Sequence, residues 1–161
     1  MSPSLGGDQP SSSRFQQRID LAIQAAREGG WILVVEDNRG DVDLIQYALR
    51  QKGIDLPVVA LSDGAQAFDF LDAIEANGCG CPLLVIVDLN LPKKSGREVL
   101  ARVAKSTVCA TSPVVVLSSS NAEADRADSL RLGARLYISK PSNLDEFLKI
   151  GEILKGMIRP Q

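Results

Sequence analysis

The sequence contains no histidine, and this absence excludes several kinds of site. A serine–histidine–aspartate triad, a histidine-ligated metal centre and a phosphohistidine formed on this chain all need an imidazole ring. Cysteine is scarce as well, with Cys79, Cys81 and Cys109 as its three occurrences. Because a Cys-x-Cys pair without histidine offers too few ligands for a four-coordinate zinc site, we expect reduced thiols that bind no metal.

Long apolar segments and an excess of basic charge are also missing. The longest fully apolar runs, 31–35 and 83–87, are much shorter than the roughly 20 residues that cross a bilayer. Twenty acidic residues against eighteen basic ones give a net charge of −2, which does not favour nucleic-acid binding. The first residues lack a basic segment followed by an apolar one. We therefore expect a cytoplasmic protein with no membrane or nucleic-acid partner.

The chain divides into three segments by composition. Residues 1–14 are mostly serine, glycine and proline, and this composition predicts a disordered segment. Apolar side chains recur at helical spacing over residues 15–28 and predict an extra N-terminal helix. Gly29 and Gly30 are predicted to end this helix, so the segment comprises residues 15–30. Residues 31–158 have the composition of one folded domain and leave no room for a second.

The segment 31–158 alternates between short apolar runs and amphipathic stretches. Strands are predicted at 31–35, 58–61, 83–87, 114–117 and 135–138. Helices are predicted at 41–51, from 67 to about 78, and at 96–104, 122–132 and 144–158. Five strands that alternate with five helices predict an α/β domain in which a parallel sheet is covered on both faces.

Chemically active side chains follow four of the predicted strands. Glu36 and Asp37 follow the first strand, Asp88 the third, Ser118 the fourth, and Lys140 the fifth. The carboxyl ends of parallel strands lie at one edge of the sheet, so these side chains are expected to lie together. Three neighbouring carboxylates repel one another unless a cation neutralises them. Oxygen ligands without nitrogen or sulfur donors indicate Mg²⁺ or Mn²⁺.

Each of these residues also has a purely structural interpretation. Acidic, amide and hydroxyl side chains often follow strands as turn residues or helix N-caps, and Asp41 is predicted to be such a cap. A single residue of this kind would carry little weight. The combination of carboxylates, a hydroxyl and a lysine at the appropriate strand ends favours a functional site.

Four segments carry a resemblance to a known family. They are VVEDN at 34–38, LLVIVDLNLPKKSG at 83–96, PVVVLSSS at 113–120 and LYISKP at 136–141. In these segments the chain resembles the receiver domain of bacterial two-component response regulators, over about residues 31–158. The resemblance implies a flavodoxin-like, doubly wound sheet of five parallel strands in the order 2-1-3-4-5.

The resemblance also implies a role for each residue at the strand ends. Asp88 would be the phosphoacceptor, and Lys140 would contact the phosphoryl oxygens. Mg²⁺, or Mn²⁺ in its place, would be bound by Asp37, Asp88 and the backbone carbonyl of Asn90. Glu36 would act on the metal mainly through water.

Two further residues would transmit the signal. Ser118 would be the switch hydroxyl, and Tyr137 the aromatic partner that changes rotamer when Ser118 moves. Family members more often carry threonine at the switch position, and serine lacks the methyl group that restricts the rotamer. The peptide bond between Lys140 and Pro141 is implied to be cis.

The function implied is that of a phosphorylation switch. Asp88 would accept a phosphoryl group from a sensor histidine kinase or a small acyl phosphate, and the surface of 122–132, 135–138 and 144–158 would be remodelled. The chain would catalyse only its own phosphotransfer and slow autodephosphorylation. The stretch DLNLPKKSGREVL is most similar to stand-alone regulators that serve phytochrome-type kinases, and it implies a bacterial phytochrome as partner and a homodimer.

Three other functions are less consistent with the residues. A receiver-like scaffold that acts without phosphorylation usually lacks an acidic residue or the lysine, and this chain has all of them. A haloacid-dehalogenase-type phosphatase needs a second aspartate two residues after the nucleophile, where Asn90 stands. A flavodoxin would place a phosphate-binding loop after the first strand, where Glu36 and Asp37 would repel a phosphate.

Overall fold

The computed structural model describes residues 10–158 of the chain, with side chains from residue 13 onwards. The strands are β1 (Ile32–Val35), β2 (Val58–Leu61), β3 (Leu84–Val87), β4 (Val114–Ser118) and β5 (Leu136–Ser139). The helices are α1 (Pro10–Glu28), α2 (Arg39–Gln51), α3 (Gly64–Ala76), α4 (Gly96–Ala104), α5 (Glu123–Arg131) and α6 (Leu144–Met157).

The five strands form one parallel sheet in the order β2-β1-β3-β4-β5. The flavodoxin-like fold predicted from the sequence is therefore confirmed. The strands β1 and β3 read ILVV and LVIV and are buried at every position, because helices cover both faces of the sheet. At the edge of the sheet, β2 alternates between partly and fully buried residues.

Successive residues of each strand supply two separate cores. In β1, Leu33 and Val35 face the core beneath α1, α3 and α4, whereas Ile32 and Val34 face the core beneath α2 and α6. This division follows from the two-residue period of a strand. Both cores end where the polar residues begin, at the carboxyl edge of the sheet.

The helix predicted over 15–28 begins earlier, at Pro10. A proline suits the first turn of a helix, where its missing N–H would have no intrahelical partner. Ile19, Ala22 and Ala25 are buried on one side of α1 and pack into the first core with Trp31. Residues 1–9 of the segment predicted to be disordered lie outside the described residues.

No helix among the described residues has both the length and the apolar content that crossing a membrane requires.

Candidate functional site

The side chains predicted at the strand ends meet around one lysine. The Nζ atom of Lys140 lies 2.7 Å from Oε1 of Glu36, 2.8 Å from Oδ2 of Asp41 and 3.0 Å from Oδ2 of Asp88. Carboxylate oxygens of Glu36, Asp37 and Asp88 all lie within 4.8 Å of one another. The sheet brings these groups together because β1, β3 and β5 all end at the same edge.

Backbone groups hold the two buried carboxylates in place. The N–H of Asn38 donates to Oε2 of Glu36 at 3.0 Å, and the N–H of Asn90 donates to Oδ1 of Asp88 at 3.2 Å. In each carboxylate, one oxygen therefore faces Lys140 and the other accepts from the backbone two residues later. Gly96, at the start of α4, passes so close to Asp88 that a Cβ atom would collide with the Asp88 carbonyl oxygen.

Burial and charge act together on the titratable groups of this site. The side chains of Glu36, Asp88 and Lys140 are 2%, 5% and 12% exposed. Burial raises the pKa of Glu36, although hydrogen bonds from Lys140 and from the Asn38 N–H act in the opposite direction. Burial alone would lower the pKa of Lys140, but its hydrogen bonds to the three carboxylates outweigh this effect and raise it. The lysine is therefore cationic at neutral pH.

The donor atoms at the site fit a hard divalent cation. Glu36, Asp37 and Asp88 offer carboxylate oxygens, and among residues 13–158 no nitrogen or sulfur ligand joins this group. Such a set suits Mg²⁺ or Mn²⁺ and does not suit zinc. Asp37 is exposed to solvent, whereas Glu36 and Asp88 are buried. A cation bound here would therefore have its open side towards solvent.

Asp41 belongs to this site, and sequence reasoning missed it. Its predicted role as the N-cap of α2 is wrong, because the helix begins two residues earlier and Asn38 is the cap. The Asn38 side chain accepts from the Asp41 N–H at 3.0 Å, so the Asp41 carboxylate is left to pair with Lys140. Asp41 lies four residues after Asp37, at the start of a predicted helix. Because residues at this spacing lie on one side of a helix, the spacing could have indicated that Asp41 is near the site.

The two predicted switch residues are connected through Ser120. Ser118 is fully buried, and its Oγ accepts from the Ser120 N–H at 3.3 Å. Tyr137 is 4% exposed, and its hydroxyl donates to the Ser120 carbonyl oxygen at 2.8 Å. The Ser120 hydroxyl in turn donates to Asp125, which forms an ion pair with Arg97 of α4. The bridging role of Ser120 was not predicted, because it uses backbone atoms that any residue carries.

The peptide bond between Lys140 and Pro141 is trans, as are the other peptide bonds of the described residues. The cis bond implied by the resemblance is therefore wrong. Bonds that precede proline favour trans by about 0.5–1 kcal/mol, and Lys140 reaches its three carboxylates with the bond in this form.

Comparison with known proteins places this site in a family. The response regulator receiver domain family matches residues 32–151, which include the whole cluster around Lys140. The chain belongs to this family. Response regulator Rcp1 of Synechocystis is 40% identical over 120 residues, which cover 74% of this chain and 82% of Rcp1. The resemblance identified in the sequence is thus confirmed.

Two solved structures of response regulators are similar to this chain in both sequence and fold. The Mn²⁺-bound form of Rcp1 is 38% identical to this chain and superposes on it with a TM-score of 0.70. The match covers 79% of this chain and 92% of the Rcp1 chain. The phosphorylated cyanobacterial phytochrome response regulator RcpA is also 38% identical, with a TM-score of 0.72. This match covers 81% of this chain and 94% of the RcpA chain. The receiver is therefore related to phytochrome response regulators. Its helix α1 precedes the matched residues.

Proposed function

We propose that this receiver is a phosphorylation switch in which Asp88 accepts a phosphoryl group from the phosphohistidine of a sensor histidine kinase. The observation that carries the proposal is the contact between the Lys140 ammonium group and the buried Asp88 carboxylate, 3.0 Å apart, beside Glu36 and Asp37. An ion pair with a purely structural role would not require the Glu36 and Asp37 carboxylates, whose oxygens lie within 4.8 Å of each other and of an Asp88 oxygen. The related regulator RcpA has been solved in a phosphorylated form, and this relationship supports the same chemistry here.

In the proposed reaction, a carboxylate oxygen of Asp88 attacks phosphorus. A P–O bond forms, the P–N bond to the kinase histidine breaks, and the imidazole nitrogen retains the electron pair. Lys140 stays charged and donates to the phosphoryl oxygens. Asp37, Asp88 and the Asn90 carbonyl, with Glu36 through water, would hold Mg²⁺ or Mn²⁺. When bound, the cation neutralises the carboxylates and the phosphoryl oxygens.

Phosphorylation changes the charge of Asp88 from −1 to about −2, and the Ser118 network can respond to this change. Ser118 accepts from the Ser120 N–H, so its own proton is available for a phosphoryl oxygen. Movement of Ser118 towards Asp88 would break its bond to Ser120. Because Tyr137 also contacts Ser120, the displacement would reach the surface formed by α5, β5 and α6.

The output of the switch is proposed to be protein–protein binding, including a homodimer and docking to a phytochrome-type kinase. Leu130 on α5 and Leu144 and Ile153 on α6 are large apolar side chains that are 42%, 55% and 45% exposed. Contact with a second copy or with the kinase would bury them. Relatedness to the phytochrome response regulator RcpA supports the choice of kinase.

The direct test is intact-protein mass spectrometry after incubation with acetyl phosphate and Mg²⁺. We expect a single phosphoryl adduct on the wild type that hydroxylamine removes and that excess chelator prevents. Asp88→Asn should take up no phosphoryl group, whereas Asp55→Asn, an exposed aspartate before β2, should behave as the wild type does. A wild type that neither acetyl phosphate nor a cognate kinase labels would favour a scaffold that works without phosphorylation.

A further inference from the structure

Every polar group of Ser120 is engaged in the turn that follows β4. Its N–H donates to the Ser118 hydroxyl at 3.3 Å, and its carbonyl oxygen accepts from the Tyr137 hydroxyl at 2.8 Å. Its own hydroxyl accepts from the Ala122 N–H at 3.2 Å and donates to a carboxylate oxygen of Asp125. Ser120 therefore joins the two predicted switch residues to the start of α5.

The Asp125 carboxylate uses its two oxygens for two different elements. Oδ2 accepts from the Ser120 hydroxyl, whereas Oδ1 forms an ion pair with the Arg97 guanidinium group of α4. The bond from the Ser120 hydroxyl and, second, that from Arg97 lower the pKa of Asp125, so the carboxylate is ionised near neutral pH. One ionised side chain thus ties the turn after β4 to α4.

The backbone at the start of α4 packs directly on Asp88. Gly96 immediately precedes Arg97, and its N–H donates to the Leu89 carbonyl oxygen at 3.0 Å. A Cβ atom at Gly96 would collide with the Asp88 carbonyl oxygen. Arg97 is therefore anchored beside the proposed phosphoacceptor, and through Asp125 it connects that position to the turn 118–120. This path is separate from the Ser118 hydroxyl.

The helix α5 begins without a side-chain cap at its own N-cap position. Ala122 occupies that position, and alanine has no oxygen that could accept from a backbone N–H. The Ser120 hydroxyl accepts from the Ala122 N–H, and Asp125 lies in the first turn, where a negative charge suits the helix dipole. Because the same hydroxyl serves both the turn and the helix start, a displacement of Ser120 also acts on α5.

We propose that Asp125 is a positioning residue that, through Ser120, holds the turn 118–120 in the arrangement in which Ser118 accepts from the Ser120 N–H. This inference rests on the phosphorylation proposed for Asp88. Movement of Ser118 towards a phosphoryl group pulls on Ser120, which is two residues away in the same turn. The bond between Ser120 and the anchored Asp125 opposes this movement. Asp125 thereby shifts the equilibrium between the two arrangements of the turn towards the one described here.

The test is the affinity of the full-length protein for beryllium trifluoride in the presence of Mg²⁺, measured by calorimetry. This compound mimics a phosphoryl group on a carboxylate without a covalent transfer, so the rate of phosphotransfer does not enter the result. Asp125→Asn should bind it roughly fivefold more tightly, which corresponds to the net contribution of one hydrogen bond. Asparagine offers one oxygen where aspartate offers two, and therefore cannot accept from Ser120 and Arg97 together. A role in fold stability alone would weaken binding.

A double-mutant cycle identifies the bond through which Asp125 acts. Ser120→Ala should tighten binding to a similar extent, and Asp125→Asn/Ser120→Ala should add little to either single variant. The matched control is Asp128→Asn on the same helix. Asp128 lies 3.5 Å from Arg97 and, within residues 13–158, makes no hydrogen bond to Ser120. This control should keep the affinity of the wild type.

A second readout uses the protein without the analogue. Hydrogen exchange of residues 119–122 should be faster in Asp125→Asn than in the wild type or in Asp128→Asn, because the turn is held less firmly. Unchanged exchange, an affinity that is unchanged or weaker in Asp125→Asn, or fully additive shifts would overturn this inference and leave the function proposed for Asp88 intact. A wild type that binds no analogue would overturn that function and, with it, this inference.

Discussion

The Lys140 ammonium group lies 2.8 Å from Oδ2 of Asp41, a contact that joins the end of β5 to the first turn of α2. The same ammonium group contacts Glu36 and Asp88 at similar distances. Lys140 is thereby shared among three carboxylates from three different parts of the chain. We therefore expect that an event which draws Lys140 further towards Asp88 weakens its contact with α2.

Asp41→Asn is expected to raise the dissociation constant for Mn²⁺ roughly tenfold, which corresponds to about 1.4 kcal/mol of binding free energy. The substitution removes one negative charge near the site, and it leaves Lys140 to compete more strongly with the cation for Glu36 and Asp88. Calorimetric titration with Mn²⁺ measures the effect. Asp55→Asn is the control, because Asp55 is an exposed aspartate that precedes β2 and lies away from the carboxyl edge of the sheet. An unchanged affinity in Asp41→Asn would exclude Asp41 from the site.

Tyr137→Phe should preserve phosphoryl uptake at Asp88 and lower the free energy of unfolding by about 1 kcal/mol. The ring remains to fill the core, and only the hydroxyl that donates to the Ser120 carbonyl is lost. Hydrogen exchange of residues 119–122 should then respond less to phosphorylation than in the wild type. The control is Ser139→Ala, which removes the longer 3.3 Å bond to the same carbonyl. Equal exchange responses in wild type and Tyr137→Phe would argue against Tyr137 as the switch partner.

The apolar strands and the polar residues after them made most of the fold and the site predictable. Short apolar runs such as 83–87 that alternate with amphipathic stretches favour buried strands, and a charged residue directly after such a run is expected at the carboxyl edge of the sheet. Asp41 was not predictable in this way, because a capping aspartate and an ion-paired one look alike in sequence.

Of the three thiols, Cys81 is expected to react first with an alkylating reagent in the native protein. Burial raises the pKa of Cys109 to about 12 and also raises that of Cys79, so little thiolate is present at these positions near neutral pH. Cys81 is the more accessible member of the Cys-x-Cys pair. Mass spectrometry should show one fast modification in native buffer and three in denaturant. Loss of the fast modification in Cys81→Ser would assign it, and fast labelling of Cys109 would contradict the burial of that thiol.

The ion pair between Glu75 and Arg102 should make stability depend on pH in the acid range. The Arg102 guanidinium group lies 2.8 Å from the Glu75 carboxylate and lowers its pKa from 4.5 to about 2. Because the pKa of the folded state lies below that of the unfolded chain, the pair stabilises the fold above pH 4.5, and this contribution is lost as the pH falls towards 2. For a pair that is partly exposed, the contribution is about 1 kcal/mol. The free energy of unfolding, measured with urea across this pH range, should fall less steeply with decreasing pH for Glu75→Gln than for the wild type. Parallel curves for the two proteins would show that the pair contributes nothing to the acid sensitivity.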